Sequence, residues 1–379
     1  MRRRELLVGS LGLFLGAGVL PALATNANSR KVLILIELQG ANDGLNTVIP
    51  YSNDRYYSLR PNIGIEKTRV LDLNGEQGLH PSLSGLRNLY ERGVVKIFQN
   101  VGYPNQIQSH FRSIEVWERG GDGNGNGRDG WFVNAARNST INNQYEAPGI
   151  YLGGTPDIFH GGIGYLGSAS FMDVKQPSRD TMLAQATDSP SMLSRISRKR
   201  QDNLEKNEKI SKKLKNAQRI AFGGSNLANQ LGRVCELLSA DVRAPIFKVS
   251  IGSFDTHAGQ NNTHRKLLKA LDDAISKTVA TLDSLGIWDD VAIMTYSEFG
   301  RRAKENGARG TDHGTAAPHF LISKSLGSGI VGGFPDLERL KNGDLQYEID
   351  YRAMYNYVLK ENFGLITNPF NDYDLPPPA

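Results

Sequence analysis

The segment Arg309-Gly310-Thr311-Asp312-His313-Gly314-Thr315-Ala316-Ala317-Pro318-His319 sets a carboxylate and two imidazoles in a glycine-bounded turn. A carboxylate beside neutral imidazole is a metal-ligand pair, although isolated Asp-His pairs also serve as hydrogen-bonded loop residues. Two upstream stretches sharpen the choice. Ile251-Gly252-Ser253-Phe254-Asp255-Thr256-His257 and Thr295-Tyr296-Ser297-Glu298-Phe299-Gly300 each place acids or imidazoles just past an apolar run. Three such ends can meet in space. Their oxygen and nitrogen donors suit Zn²⁺ or Mn²⁺, whereas a purely oxygen-lined site would suit Mg²⁺ or Ca²⁺. Cys235 is the only cysteine, which excludes both a cysteine-cluster zinc site and an internal disulfide.

Other candidates stand with a plainer reading beside them. Asp43 lies in Gln39-Gly40-Ala41-Asn42-Asp43-Gly44-Leu45-Asn46 just past the first apolar run, where a ligand is useful. The same Asn-Asp-Gly sequence also makes a turn. Ser109 precedes a helical pattern and reads either as a helix cap or as a nucleophile, because the N–H groups there favour a negatively charged oxygen. The run from Asp122 to Asp129 begins like a calcium loop, yet Val133 stands where that loop needs its closing acid. A glycine-asparagine turn competes with it. His80 and His264 fall on helical patterns and read as structural, His319 precedes an apolar strand and reads as core, and His160 sits in a loop without visible partners.

The elements that must position these groups follow from periodicity. Nearly continuous apolar runs at 31–38, 94–99, 246–251 and 291–296 predict strands buried on both faces, with a last strand at 319–323. Between them, Leu83, Leu86, Leu89 and Tyr90 follow a helical period, as do Leu267, Leu268, Leu271, Ile275, Val279 and Leu282. A C-terminal helix is predicted over 351–363. Alternation of buried strands with amphipathic helices predicts an α/β chain of three layers, α/β/α, around a mostly parallel sheet. The Gly/Pro/Ser-rich and then helical stretch around 147–243 reads as an inserted cap on a single domain spanning 25–379.

The chain has 379 residues and a formal charge of +5. Arg3-Arg4-Glu5-Leu6-Leu7, the uncharged run Val8 to Leu20 and the small residues Ala22 and Ala24 look like a twin-arginine signal peptide over 1–24, cleaved before Thr25. Its apolar run is too short for a membrane span. Export through the twin-arginine machinery predicts a periplasmic or secreted protein without a membrane span after cleavage. Cleavage removes three arginines and one glutamate and lowers the charge from +5 to +3. No concentrated basic face argues for nucleic acid, because the lysines and arginines of 198–219 alternate with acids and amides.

Read together, the order Asp43, Ser109, Asp255, His257, Glu298, Asp312, His313 resembles the alkaline phosphatase-like superfamily of sulfatases, phosphodiesterases and phosphoglycerate mutases. Over nearly the whole mature length the chain is more specifically similar to the exported domain of unknown function 1501 family. The matching pieces are Gly40 to Asn46, Gly78-Leu79-His80-Pro81, Ser109-His110-Phe111, Phe254-Asp255-Thr256-His257, Ser297-Glu298-Phe299-Gly300-Arg301 and Gly310-Thr311-Asp312-His313-Gly314. The resemblance implies an exported metal-dependent hydrolase of phosphate or sulfate esters, with small-molecule or polymer esters as substrates. It implies one or two divalent ions, zinc or manganese, with calcium and magnesium left open. Asp255, His257 and a residue from Asp312/His313 would hold one ion, and Asp43, Glu298 and Ser109 would serve a second. Ser109 would attack, His110 would donate to the leaving group, and Arg301 would neutralise a transferred anion. The chain departs from the superfamily pattern in spacing Asp255 and His257 by two and in carrying Ser297-Glu298 where an Asp-His pair is usual. The alternative is a metal-stabilised envelope protein that binds a polymer or protein partner without turnover.

Overall fold

The computed structural model describes residues 30–377 apart from 126, 138, 140, 142–144, 163–164, 168–204 and 216. The signal-like segment 1–24 and much of the expected cap therefore lie outside the described residues. In chain order the elements are β1 (Val32–Leu38), β2 (Val48–Ile49), α1 (Asp54–Leu59), β3 (Leu71–Asp72), β4 (Gly78–Leu79), α2 (Ser84–Glu91) and β5 (Val95–Gly102). Then come α3 (His110–Arg119), α4 (Trp131–Ala136), β6 (Ile150–Tyr151), β7 (Leu166–Gly167), α5 (Asn226–Ser239), β8 (Ile246–Ile251) and α6 (Gln260–Ser284). β9 (Val291–Tyr296), β10 (Ala317–Ile322), β11 (Gly329–Val331), β12 (Ile349–Asp350) and α7 (Tyr351–Glu361) complete them.

The main sheet runs β11-β5-β10-β9-β1-β8-β6-β7, with β12 also beside β5. β1 pairs in parallel with β8 on one side and β9 on the other, so the β8-α6-β9 crossover straddles the central strand. Every residue of β1 is buried, as its unbroken apolar sequence requires of a strand covered on both faces. Val32, Ile34 and Ile36 face one core with α2, α5 and α6, and Leu33 and Leu35 face the other with α3, α4 and α7. The result is the expected three-layer α/β/α arrangement. Ser225 caps α5 through a bond from the Ala228 N–H, and Asp350 caps α7 through the Arg352 N–H.

Two local expectations are corrected, and one open choice is narrowed. The helix expected to open at His80-Pro81 begins at Ser84, because His80 accepts the Ser82 N–H at 3.0 Å and holds a turn there. The last predicted strand starts two residues early, at Ala317, and runs antiparallel to β9 and β5. At the start of the glycine-rich run, 122–125 form the turn that competed with a calcium loop, with Asp122 Oδ1 accepting the N–H groups of Asn124 and Gly125 at 3.0 and 3.1 Å.

The antiparallel course of β10 matters to the site. Its amino end lies at the same edge as the carboxyl ends of β1, β5, β8 and β9, so residues before β10 meet residues after the other strands. α3 is fixed against that edge at its far end. Glu118 is buried and bonded to Lys248 of β8, to the Tyr296 hydroxyl at 3.0 Å and to the Ile158 N–H at 3.1 Å.

His319 and His264 sit inside this packing, His319 with neither ring nitrogen bonded among the described residues. Burial depresses His319 to about 3 and His264 to about 4, and burial likewise brings His80 to about 3. The folded chain therefore leaves these rings neutral where the unfolded chain takes protons near pH 6.5, and stability falls as pH drops below that value. His319→Phe should flatten the loss by about 1.4 kcal/mol per pH unit between roughly pH 6 and 4. Urea unfolding of both proteins across that range tests it, and parallel curves would contradict it.

Candidate metal centre

Asp255 is the hub. After β8 the chain turns through Ser253, at φ 78°, a left-handed conformation that non-glycine residues adopt at a cost of about 1–2 kcal/mol. Gly40 lies against this turn, and a Cβ there would stand 2.5 Å from the Asp255 nitrogen. The Asp255 carboxylate emerges half-exposed, with Oδ1 2.9 Å from His257 Nε2, 3.3 Å from His313 Nε2 and 3.6 Å from His110 Nε2. His257 Nε2 and His313 Nε2 are themselves 3.1 Å apart. Among the described residues, His110, Asp255 and His313 can each offer a ligand atom within 4.8 Å of the others, and His257 adjoins them.

Each imidazole is held from behind through Nδ1. His110 Nδ1 is 2.8 Å from Glu298 Oε1, His313 Nδ1 is 3.1 Å from the Gln108 carbonyl, and His257 Nδ1 is 3.4 Å from Asp312 Oδ1. A proton on Nδ1 satisfies every one of these acceptors and leaves Nε2 as a lone-pair donor facing Asp255. His110 Nε2 is buried and has no hydrogen-bond partner among the described residues. That atom and the chemistry of the donor set fit a divalent ion held by His110, His313 and Asp255, with His257 Nε2 beside Asp255 and His313. Imidazole nitrogens beside a carboxylate oxygen are donors that a divalent transition-metal ion takes.

The electrostatics agree. The Glu298 hydrogen bond raises the His110 pKa, outweighing burial, which pulls the other way. Burial opposes ionisation of Asp255, but Arg301 and the imidazoles more than offset it and hold the carboxyl below its ordinary value. Glu298 is anchored in turn by the Gly40 N–H at 2.7 Å and the Ser297 hydroxyl at 3.2 Å. Gly310 lets the loop bearing Asp312 and His313 touch the other ligand loop, since a Cβ there would fall 2.3 Å from the His257 carbonyl.

The remaining candidates are placed otherwise than the resemblance implies. Asp43 is fully buried and paired with Arg60 at 2.6 Å, with Gln260 donating to the same oxygen. Burial works against its charge and Arg60 restores it, so its pKa ends below the ordinary value, while Oδ1 has no partner among the described residues. Glu298 supports His110 and does not join Asp43 in a second cluster. Asp312 faces the back of His257 and accepts from Asn306 at 3.0 Å. The Arg301 guanidinium is inaccessible and bonds to the carbonyls of Gly40, Ala41, Phe254 and Thr311 and to Asp255, so it is not presented to an incoming anion. Ser109 is the N-cap residue of α3, but its hydroxyl makes no capping bond. The grouping of His110 with the ligands was not visible in sequence, because its neighbour Ser109 carried the more obvious signal. Nothing in the spacing marked Gln108 or Arg60.

In sequence comparison with protein families, the family described as Protein of unknown function (DUF1501) matches residues 30–336. No curated protein matches the chain in sequence. Among solved structures, a protein in the alkaline phosphatase superfamily from Vibrio parahaemolyticus shares 10% identity at a TM-score of 0.39, covering 82% of this chain and 64% of that one. The PsFucS1 sulfatase from Pseudoalteromonas sp. shares 12% at 0.36, over 82% and 66% of the two chains. The C-terminal periplasmic domain of EcEptC from Escherichia coli, in complex with Zn, shares 10% at 0.36, over 78% and 74%. The chain thus spans less than two thirds of the Vibrio protein's length.

Elemental mass spectrometry on protein purified without chelator should find a transition metal that His313→Ala loses and His319→Ala retains. Glu298→Gln, which removes the anion behind His110, should weaken the metal by about 10–100-fold in chelator competition. Equal retention in both histidine variants would contradict the ligand set.

Proposed function

The chain belongs to the DUF1501 family of proteins of unknown function, and from that premise and the geometry of the centre we propose that it is an exported, metal-dependent hydrolase of phosphate or sulfate esters. The observation that carries this reading is the convergence of three Nδ1-anchored imidazoles on one half-exposed carboxylate at the carboxyl edge of the sheet. In open α/β sheets that edge is where ligands gather. A divalent ion bound there supplies positive charge that polarises an ester oxygen. The N-terminal sequence supports export, and among the described residues no helix is long and apolar enough to cross a membrane.

The chain's own residues divide the work. Asp255 and the imidazoles present a fixed cluster of donors, and Glu298 and Gln108 keep the protons on the far nitrogens. Ser109, adjacent to His110 with its hydroxyl free of the helix, is the proposed nucleophile: its oxygen bonds to the phosphorus or sulfur as the bond to the alcohol oxygen breaks. Its proton passes by way of water to the departing alcohol, and a water molecule then cleaves the seryl ester to release phosphate or sulfate. The N–H groups of the first turn of α3, which have no acceptor within the helix, favour the negative charge that gathers there. In this reading His110 is a ligand rather than the proton donor, and Arg301 positions Asp255 rather than neutralising the substrate.

Metal-loaded protein should hydrolyse at least one of a generic aryl phosphate, aryl phosphodiester or aryl sulfate, and Ser109→Ala should lower that rate on the order of a hundredfold or more. Turnover that survives Ser109→Ala would remove the nucleophile assignment and leave hydrolysis standing. Full metal occupancy with no turnover of any of the three would favour the envelope protein that binds without catalysis.

A further inference from the structure

Each of the two loops that follow and precede the strands of the centre turns one threonine inward while its acid and imidazole face out. In Asp255-Thr256-His257 the threonine is buried between two half-exposed side chains, and in Thr311-Asp312-His313 it is fully buried ahead of an exposed acid and a partly exposed ring. Both hydroxyls end on one atom. Gln260 Oε1 accepts from Thr311 Oγ1 at 2.7 Å and from Thr256 Oγ1 at 3.1 Å, and neither hydroxyl bonds elsewhere among the described residues. Loops remote in sequence are thereby joined through a single side-chain oxygen.

Gln260 can join them because its place and its orientation are both fixed. It is the first residue of α6 and wholly buried, and its N–H donates to the Arg309 carbonyl at 2.9 Å, beside the Gly259 N–H on the Ala308 carbonyl at 3.0 Å. Asp43 decides which end of the amide faces the threonines. Its Oδ2 takes the Gln260 Nε2 donor, and although burial opposes the charge, Arg60 at 2.6 Å keeps that carboxyl an ionised acceptor. An amide alone offers a donor at one end and an acceptor at the other. A glutamate here would set a second anion against Asp43, and a methionine would fill the space with neither bond. The Arg60–Asp43 pair, which has no accessible side-chain surface, thus reaches the centre through Gln260.

We infer that Gln260 is a positioning residue of the metal centre, with Asp43 and Arg60 orienting its amide so that Oε1 fixes Thr256 and Thr311 and, through them, the spacing of Asp255 and His257 against His313. The inference rests on the metal reading of the centre and holds whether or not that centre turns over an ester. Zinc affinity, measured on the purified protein by competition with a chelating dye, is the first readout. Gln260→Met keeps the volume, removes both ends of the amide and should weaken zinc about tenfold, the lower end of the range for groups that support metal ligands. Thr256→Val and Thr311→Val each remove one donor and should each weaken zinc about threefold, yet add nothing in the Gln260→Met background. Those milder changes keep the test readable should the glutamine variant fail to fold. Leu271→Ala opens a cavity under the same helix and should lower stability with zinc affinity unchanged.

The second readout needs no metal. Long-range nitrogen–proton NMR of the histidine rings in chelator-stripped protein should show His257 and His313 protonated on Nδ1 in the parent chain and as mixed tautomers in Gln260→Met. His110, held by Glu298 outside both loops, should keep its tautomer. Zinc affinity unchanged in Gln260→Met, threonine effects that persist in full in that background, or an equal loss in Leu271→Ala would overturn the inference. A parent chain that binds no zinc defeats the metal centre instead, and the ring spectra then decide the role of Gln260, which unchanged rings would overturn.

Discussion

One buried guanidinium holds the centre together. Arg301 reaches the carbonyls of Gly40 and Ala41 after β1, of Phe254 after β8 and of Thr311 before β10, and it ends on the Asp255 carboxylate. No apolar contact could bring these loops together, because each offers backbone acceptors that would be costly to bury unmet. A planar fork of donors meets several at once. Its charge then sets the state of Asp255, which stays ionised despite partial burial and is available to a cation. Everything else about the centre follows from where that carboxylate is fixed.

The second determinant is also an arginine. Asp43 lies past the central strand where a further ligand was expected, but Arg60 neutralises it inside the fold. A buried carboxylate so paired costs more to unpair than an added ion would easily return. The centre proposed above therefore takes one ion where the resemblance implied up to two, and in it Glu298, bonded to His110 Nδ1, is proposed as support for His110 instead of a ligand. Moving His110 from proton donor to ligand has the same origin, since Glu298 holds its Nδ1 and turns Nε2 toward Asp255.

The fold was largely legible because its signals are local. The apolar run of β1, the helical period of α6 and the strand at 291–296 are each written in consecutive residues, and they reappear within a few positions. The direction of β10 was not legible, since pairing depends on partners remote in sequence. In the site, Asp255, His257 and His313 were readable as ends of apolar runs. The placement of Asp43 and Arg301 was not, because burial and partner identity decide whether a charged residue serves a ligand or the scaffold. The donors that fix tautomers, Gln108 above all, act through a backbone carbonyl that any residue could supply.

The central claim is that one divalent ion sits among His110, His257, His313 and Asp255. X-ray absorption fine structure of the zinc- or manganese-loaded protein tests it most directly. The account predicts about three imidazole shells at roughly 2.0–2.2 Å with one carboxylate oxygen, and no metal scatterer at the roughly 3.5–4 Å typical of two-ion centres. A metal–metal shell, or a coordination sphere of oxygens lacking imidazole, would contradict it.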